Sequence, residues 1–91
     1  MIYRIEIKEQ AELDLLRLAK SEPKAFAKAE RFLEELKVHP KTGTGHPEPL
    51  RGDKSGQWSR QITKKHRMVY EIRETEVIVL VLTAYGHYGD K

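Results

Sequence analysis

Glu48 stands between two prolines, Pro47 and Pro49. Pro49 pushes it out of helical space and Pro47 stiffens the approach, so the carboxylate stands on a short rod at low entropic cost. Either it is a solvated loop glutamate, as most are, or the loop presents it to a ligand. Arg67 lies in a strand-like run and shares a face with Val69. An arginine there pairs with a cross-strand carboxylate or serves an anion, and its planar fork suits phosphate. His87 follows in Tyr85-Gly86-His87-Tyr88-Gly89. The flanking glycines let backbone approach a ligand, and a histidine there can donate a proton near neutral pH; the alternative is a frayed tail. His66 adjoins Arg67, but a pleated strand sends neighbours to opposite faces, so the two should not share a site unless a bulge intervenes.

Glutamate, arginine and histidine together suit one metal-free reaction. RNA is cut when its own 2′-OH attacks the adjacent phosphate. That step needs a base for the 2′-OH, an acid for the leaving 5′-oxygen and a cation for the charge that builds on phosphorus. Glu48, His87 and Arg67 match those roles by type. Trp58, Tyr70, Tyr85 and Tyr88 offer surfaces on which unpaired bases could stack.

The elements that must position these groups follow from periodicity. Ile2 to Ile7 alternates, with Tyr3, Ile5 and Ile7 on one side, as a half-buried strand does. From Lys8 the period becomes helical. Ala11, Leu15, Leu18 and Ala19 form an apolar face, which Leu13 and Leu16 widen; Glu12, Asp14, Arg17 and Lys20 mark the wet side. Ser21 is expected to cap a second helix that starts with Pro23 and runs to about Val38, along Ala25/Phe26, Ala29, Phe32/Leu33 and Leu36. So short a link implies an antiparallel helical hairpin. His39 to Gly56 is a long irregular segment, and a loop of that length in a small domain is either functional or disordered. Three strands are expected after it. Gln57–Thr63 has Trp58, Arg60 and Ile62 on one side. His66–Ile72 has Met68, Tyr70 and Ile72 on one side and Arg67, Val69 and Glu71 on the other. Glu76–Ala84 is apolar through its middle, as a strand covered on both faces is. Residues 1–91 thus read as a single α+β domain: an N-terminal strand, a helical hairpin, then an antiparallel strand meander, with both helices on one face of a four- or five-stranded sheet.

Composition narrows the class. Of the 91 residues, 34% are charged and the formal net charge is +3, a mild basic bias compatible with a polyanionic partner. There is no cysteine, which excludes disulfides and thiolate metal sites and makes an intracellular home the expectation. No apolar run approaches the ~20 residues of a membrane helix. The four histidines show no metal-ligand spacing, and no phosphate-cradling glycine motif occurs, so neither a metal nor a nucleotide cofactor is expected.

The run GTGHPEPLRGDKSGQWSRQITKKHRMVYEI, with the terminal GHY, resembles the YoeB/Txe branch of the RelE-type toxins of bacterial toxin–antitoxin pairs. The resemblance covers about the last half of the chain, where PEPL, SGxWSR, IT..HR.VY and HY occur in order. It implies a RelE-like fold and a ribosome-dependent mRNA interferase that cuts mRNA in the decoding site. It also implies a YefM-type antitoxin, a small homodimer in the cytoplasm, and contact with operator DNA only through the antitoxin complex. By motif position, Glu48 matches the family's general base, Arg67 its transition-state arginine, His87 its general acid and Tyr88 its terminal tyrosine. Arg51, Arg60 and Lys65 match basic positions that would face RNA, with Trp58 beside them. Two departures are visible: Gly89-Asp90-Lys91 follows the His-Tyr pair, and Gln61 stands where some relatives carry a second basic residue. A RelE-fold toxin that acts by binding, as gyrase-directed ParE-type relatives do, and a chain serving mainly as DNA-binding co-repressor with its antitoxin, are the competing readings. The presence of Glu48, Arg67 and His87 together favours the nuclease.

Overall fold

The computed structural model describes residues 1–51 and 56–86. Its chain order is β1 (Arg4–Ile7), α1 (Glu9–Ser21), α2 (Pro23–Leu36), β2 (Glu48–Pro49), β3 (Gln57–Gln61), β4 (Arg67–Arg73) and β5 (Ile78–Thr83). The alternation at the N-terminus produces β1, with Ile5 and Ile7 half-buried and Arg4 and Glu6 exposed. Among the described residues the strands form one sheet in the order β1-β5-β4-β3-β2. The β2–β3, β3–β4 and β4–β5 pairs are antiparallel, and β1 runs parallel to β5. A parallel neighbour needs a long connection, and the helices and the meander together supply it.

One face of this sheet carries the core. Ile62, Met68, Tyr70, Ile72, Val79, Val81 and Ala84 pack against Ala11, Leu15 and Leu18 of α1 and Ala25, Ala29, Phe32 and Leu36 of α2. Both helices therefore lie on that face, and the α+β architecture is the one expected from the sequence. Only Glu22 separates the helices. Its N–H donates to the Leu18 carbonyl and its own carbonyl accepts from Phe26, so one residue ends α1 and opens α2. The expected Ser21 cap is corrected here: Ser21 is the last residue of α1, and its hydroxyl donates to the Arg17 carbonyl one turn back. Pro23 at the first helical turn carries no N–H that would need a partner.

The polarity of α1 also differs from the expectation. Leu13 and Leu16 are exposed, whereas Asp14 is buried. The Asp14 carboxylate accepts from the Ala84 backbone N–H (2.9 Å) and from the Gln10 side chain (2.9 Å). It thus receives the end of β5, where the ladder stops. Among the described residues no helix is long and apolar enough to cross a membrane.

The segment from His39 to Pro47 folds back over α2, and two glycines let it do so. Gly43 and Gly45 hold positive φ values of 116° and 82°. A Cβ at Gly43 would stand 2.5 Å from Glu35 Oε1, and one at Gly45 would run into the Phe32 ring. Gly45→Ala therefore combines a left-handed backbone with overpacking of a buried aromatic, and should destabilise the fold by about 2–4 kcal/mol. Denaturant unfolding would read it as a lower midpoint at unchanged slope.

Candidate functional site

The alternation of β3 turns Trp58, Arg60 and Ile62 toward the helices, opposite Tyr70 and Met68 of β4. Arg60 is fully buried. Every one of its five N–H donors finds an acceptor. Nε donates to the Tyr70 hydroxyl (3.2 Å), Nη1 to Glu35 Oε1 (2.6 Å) and the Thr44 carbonyl (3.3 Å), and Nη2 to the carbonyls of His39 and Thr42 (2.7 Å to Thr42). The Tyr70 hydroxyl in turn donates to the Pro40 carbonyl (2.8 Å). An irregular loop cannot satisfy its own carbonyls, and this guanidinium does it for them. The expectation that Arg60 faces RNA is therefore corrected: its fork is spent inside the protein. Burial pushes the Glu35 carboxyl up, but hydrogen bonds from the Thr44 hydroxyl and N–H, together with Arg60, outweigh it and hold Glu35 below the usual carboxylate range. Burial raises the Tyr70 hydroxyl, with Arg60 opposing.

The fastened loop delivers Glu48 to the edge of the sheet. In the short β2 strand Glu48 pairs with Ser59 and Pro49 with Trp58, while Gln61 of β3 pairs with Arg67 of β4. Glu48, Ser59 and Arg67 thus share the face opposite the helices. Arg67 Nη1 lies 3.6 Å from Glu48 Oε1 and donates to Ser59 Oγ at 3.4 Å. The Glu48 side chain is 60% exposed and that of Arg67 18%. A long, half-wet ion pair of this kind is worth about 0–1 kcal/mol, so an incoming phosphate can displace the carboxylate from the guanidinium at little cost. Ser59 escaped the sequence reading. Its signal is its register, between Trp58 and Arg60 and therefore facing the other way.

Trp58 is half-buried and packs against the core cluster on the helix side. The expectation that Trp58 binds RNA by stacking is corrected accordingly, because the pleat puts it on the face opposite Arg67. Tyr70 is likewise buried. Arg51 and Lys65 are exposed. His87 and Tyr88 lie outside the described residues.

Pleating also separates His66 from Arg67, as expected. His66 is buried, its Nε2 is 2.7 Å from Glu22 Oε2, and its Nδ1 accepts the Gly86 N–H at 2.9 Å. The Arg67 backbone N–H donates to the Gly86 carbonyl at 2.8 Å. Tyr85 lies against the imidazole, with ring centroids 4.3 Å apart, and the Arg17 guanidinium lies over the Tyr85 ring, 4.1 Å from its centroid. The hydrogen bond from His66 lowers the Glu22 pKa, with Lys65 assisting by charge, against a smaller opposing effect of burial. Glu22 and Glu35 were not foreseen, because each acts on a strand or loop residue far along the chain. Among the described residues no three side chains of His, Cys, Asp or Glu gather to hold a metal ion.

Comparison with known proteins establishes the family and agrees with the fold. Residues 7–88 match the family described as YoeB-like toxin of bacterial type II toxin-antitoxin system. Toxin YoeB of Streptomyces coelicolor is 36% identical over 75 residues, covering 82% of this chain and 87% of that one. The YoeB/ParE toxin from Agrobacterium tumefaciens superposes with a TM-score of 0.85 at 29% identity, covering 93% of this chain and 99% of that one. The YoeB dimer from Staphylococcus aureus gives 0.82 at 25% identity, covering 97% and 100%. The Staphylococcus aureus YoeB also has a solved heterotetrameric complex with YefM.

Replacing Arg60 by Met leaves the His39, Thr42 and Thr44 carbonyls without this donor and strips Glu35 of its charged partner. The variant should lose about 3 kcal/mol, or roughly 12–24 °C in Tm, in a thermal melt. The Glu35 contribution has a defined pH dependence. Its folded pKa is depressed, so its stabilisation is present above the ordinary carboxylate pKa and fades as pH falls through the lowered value. Glu35→Gln should accordingly melt below the wild type at neutral pH, and the gap between the two should close on acidification below the usual carboxylate range.

Proposed function

Since the chain belongs to the YoeB-like toxins of bacterial type II toxin–antitoxin systems, we propose that it is a ribosome-dependent endoribonuclease that cuts mRNA by attack of the 2′-OH, with no metal. The observation that carries this reading is the placement of Glu48 beside Arg67 on the sheet face that the helices leave open. Glu48 takes the proton of the 2′-OH. The freed oxygen attacks phosphorus, the bond from phosphorus to the 5′-oxygen breaks, and that oxygen takes a proton from His87. Arg67 leaves its weak contact with Glu48 and neutralises the charge that builds on the non-bridging oxygens. Tyr88 completes the set. The products carry a 2′,3′-cyclic phosphate and a free 5′-OH.

Arg51 and Lys65 are exposed and supply phosphate contacts that hold the strand without reading its sequence. The ribosome contributes the rest of the mRNA's placement. A YefM-type antitoxin restrains the toxin in the cytoplasm, and the toxin reaches operator DNA only through that complex. The homodimer is the free form. The solved Staphylococcus aureus dimer and YoeB–YefM complex support both assemblies.

Two measurements test the chemistry. Glu48→Gln preserves shape and removes the base, so single-turnover cleavage of ribosome-bound mRNA should slow by ~10²–10⁴-fold while ribosome binding persists. A 2′-deoxy substitution at the scissile nucleotide should abolish cleavage there. Normal cleavage of that substrate would mean that an activated water attacks, and the assigned roles of Glu48 and His87 would be wrong.

A further inference from the structure

Beyond Thr83 the chain no longer runs in a regular ladder. The β4–β5 register shifts between Val69 and Tyr70, and the last pair is Val69 with Thr83. What holds the next residues is a set of side chains. The Ala84 N–H goes to the Asp14 carboxylate and the Gly86 N–H to His66 Nδ1. The Gly86 carbonyl accepts from the Arg67 N–H. Both backbone groups of Gly86 are therefore gripped from two consecutive residues, one by an imidazole and one by backbone. Gly86 takes a positive φ of 82°, a turn that glycine makes without strain. Its carbonyl belongs to the planar peptide unit that joins residue 86 to residue 87.

We infer that His66 and Glu22 are positioning residues of the nuclease: together they hold Gly86, the residue that precedes His87 in the chain, to the head of β4. The inference rests on the reading above, in which His87 is the acid. The chemistry requires a particular imidazole. Nδ1 accepts from Gly86, so the ring proton resides on Nε2, and there a carboxylate that can only accept faces it. Glu22 thus selects the tautomer that Gly86 needs. Tyr85, packed on the imidazole and covered by Arg17, limits how the ring can turn. Arg67 contributes twice, by its guanidinium toward phosphate and by its N–H toward Gly86. The guanidinium and both holds on Gly86 are thus built into one dipeptide, His66-Arg67, whose side chains point to opposite faces.

Two isosteres separate positioning from mere support. The amide of His66→Asn puts an acceptor near the place of Nδ1 and gives up the contact with Glu22. The amide of His66→Gln reaches Glu22 and gives up the acceptor for Gly86. Single-turnover cleavage of mRNA on ribosomes should fall on the order of 10–10²-fold in His66→Gln with ribosome affinity unchanged, and His66→Asn should retain most of the wild-type rate. Amide hydrogen exchange should show Gly86 losing protection in His66→Gln, with β3 and β4 protected as before, and keeping it in His66→Asn. Wild-type cleavage and wild-type Gly86 protection in His66→Gln would overturn the positioning role alone. So would equal losses in both variants that track their melting temperatures. Failure of the wild type itself to cleave would overturn the nuclease reading, and the positioning role with it.

Discussion

A guanidinium in a protein interior is tolerated only when its charge and all its donors are answered, since an isolated buried ion is unfavourable by several kcal/mol. Arg60 meets that condition by drawing the carbonyls of His39, Thr42 and Thr44, the Tyr70 hydroxyl and Glu35 around itself. The constraint works in both directions. The arginine cannot leave the interior without stranding the loop, and the loop cannot open without stranding the arginine. Nearly everything between α2 and β2 takes its course from this one side chain. The glycines at 43 and 45 are what let the backbone come close enough to Glu35 and Phe32 to meet it.

The consequence for the candidate site is indirect but large. Glu48 makes no contact with Arg60, and the two lie on opposite faces of the sheet. Yet Glu48 sits a few residues beyond the last carbonyl that Arg60 holds. The Gly45 carbonyl adds a further tie, accepting from the Gln61 N–H of the strand end next to Arg67. The carboxylate is thereby brought to Arg67 by backbone geometry, with only a 3.6 Å contact between the side chains themselves. Under the proposed reaction a substrate phosphate would replace the carboxylate at Arg67, and this arrangement serves that exchange better than a strong, buried pair would. The opposite end of the site follows the same logic. Asp14 and His66, both on the helix side, hold the chain after β5 by its backbone.

Side chains that look exposed in a linear pattern thus turn out to be braces, and some that look like core are not. Asp14 falls among the polar positions of α1, but it lies under the end of β5, where an N–H needs a partner. Leu13 and Leu16 belong to an apolar stripe wider than the sheet can cover, and they stay in water. Trp58 has the type of a base-stacking residue, and its parity in β3 assigns it to the core.

Period alone determined the main elements: two helices, the four longer strands and the order in which they come. Alternation and helical spacing report which residues must leave water, and that is decided locally. The sharing of one face by Arg67, Val69 and Glu71, and the separation of His66 from Arg67, followed from the pleat. The resemblance carried by PEPL, WSR, HR and HY points to Glu48, Arg67, His87 and Tyr88 as the residues proposed to carry the chemistry. What only the tertiary structure decided is which polar groups are spent inside. Arg60 shares the core-facing parity of Trp58, but nothing near Arg60 or His66 in the sequence shows what would answer it; their acceptors, Glu35, the His39–Thr44 carbonyls and Glu22, lie far away in sequence on α2, the loop and the helix junction. A hydrogen bond between groups so separated exists only once the chain has folded. No pattern along the sequence records it.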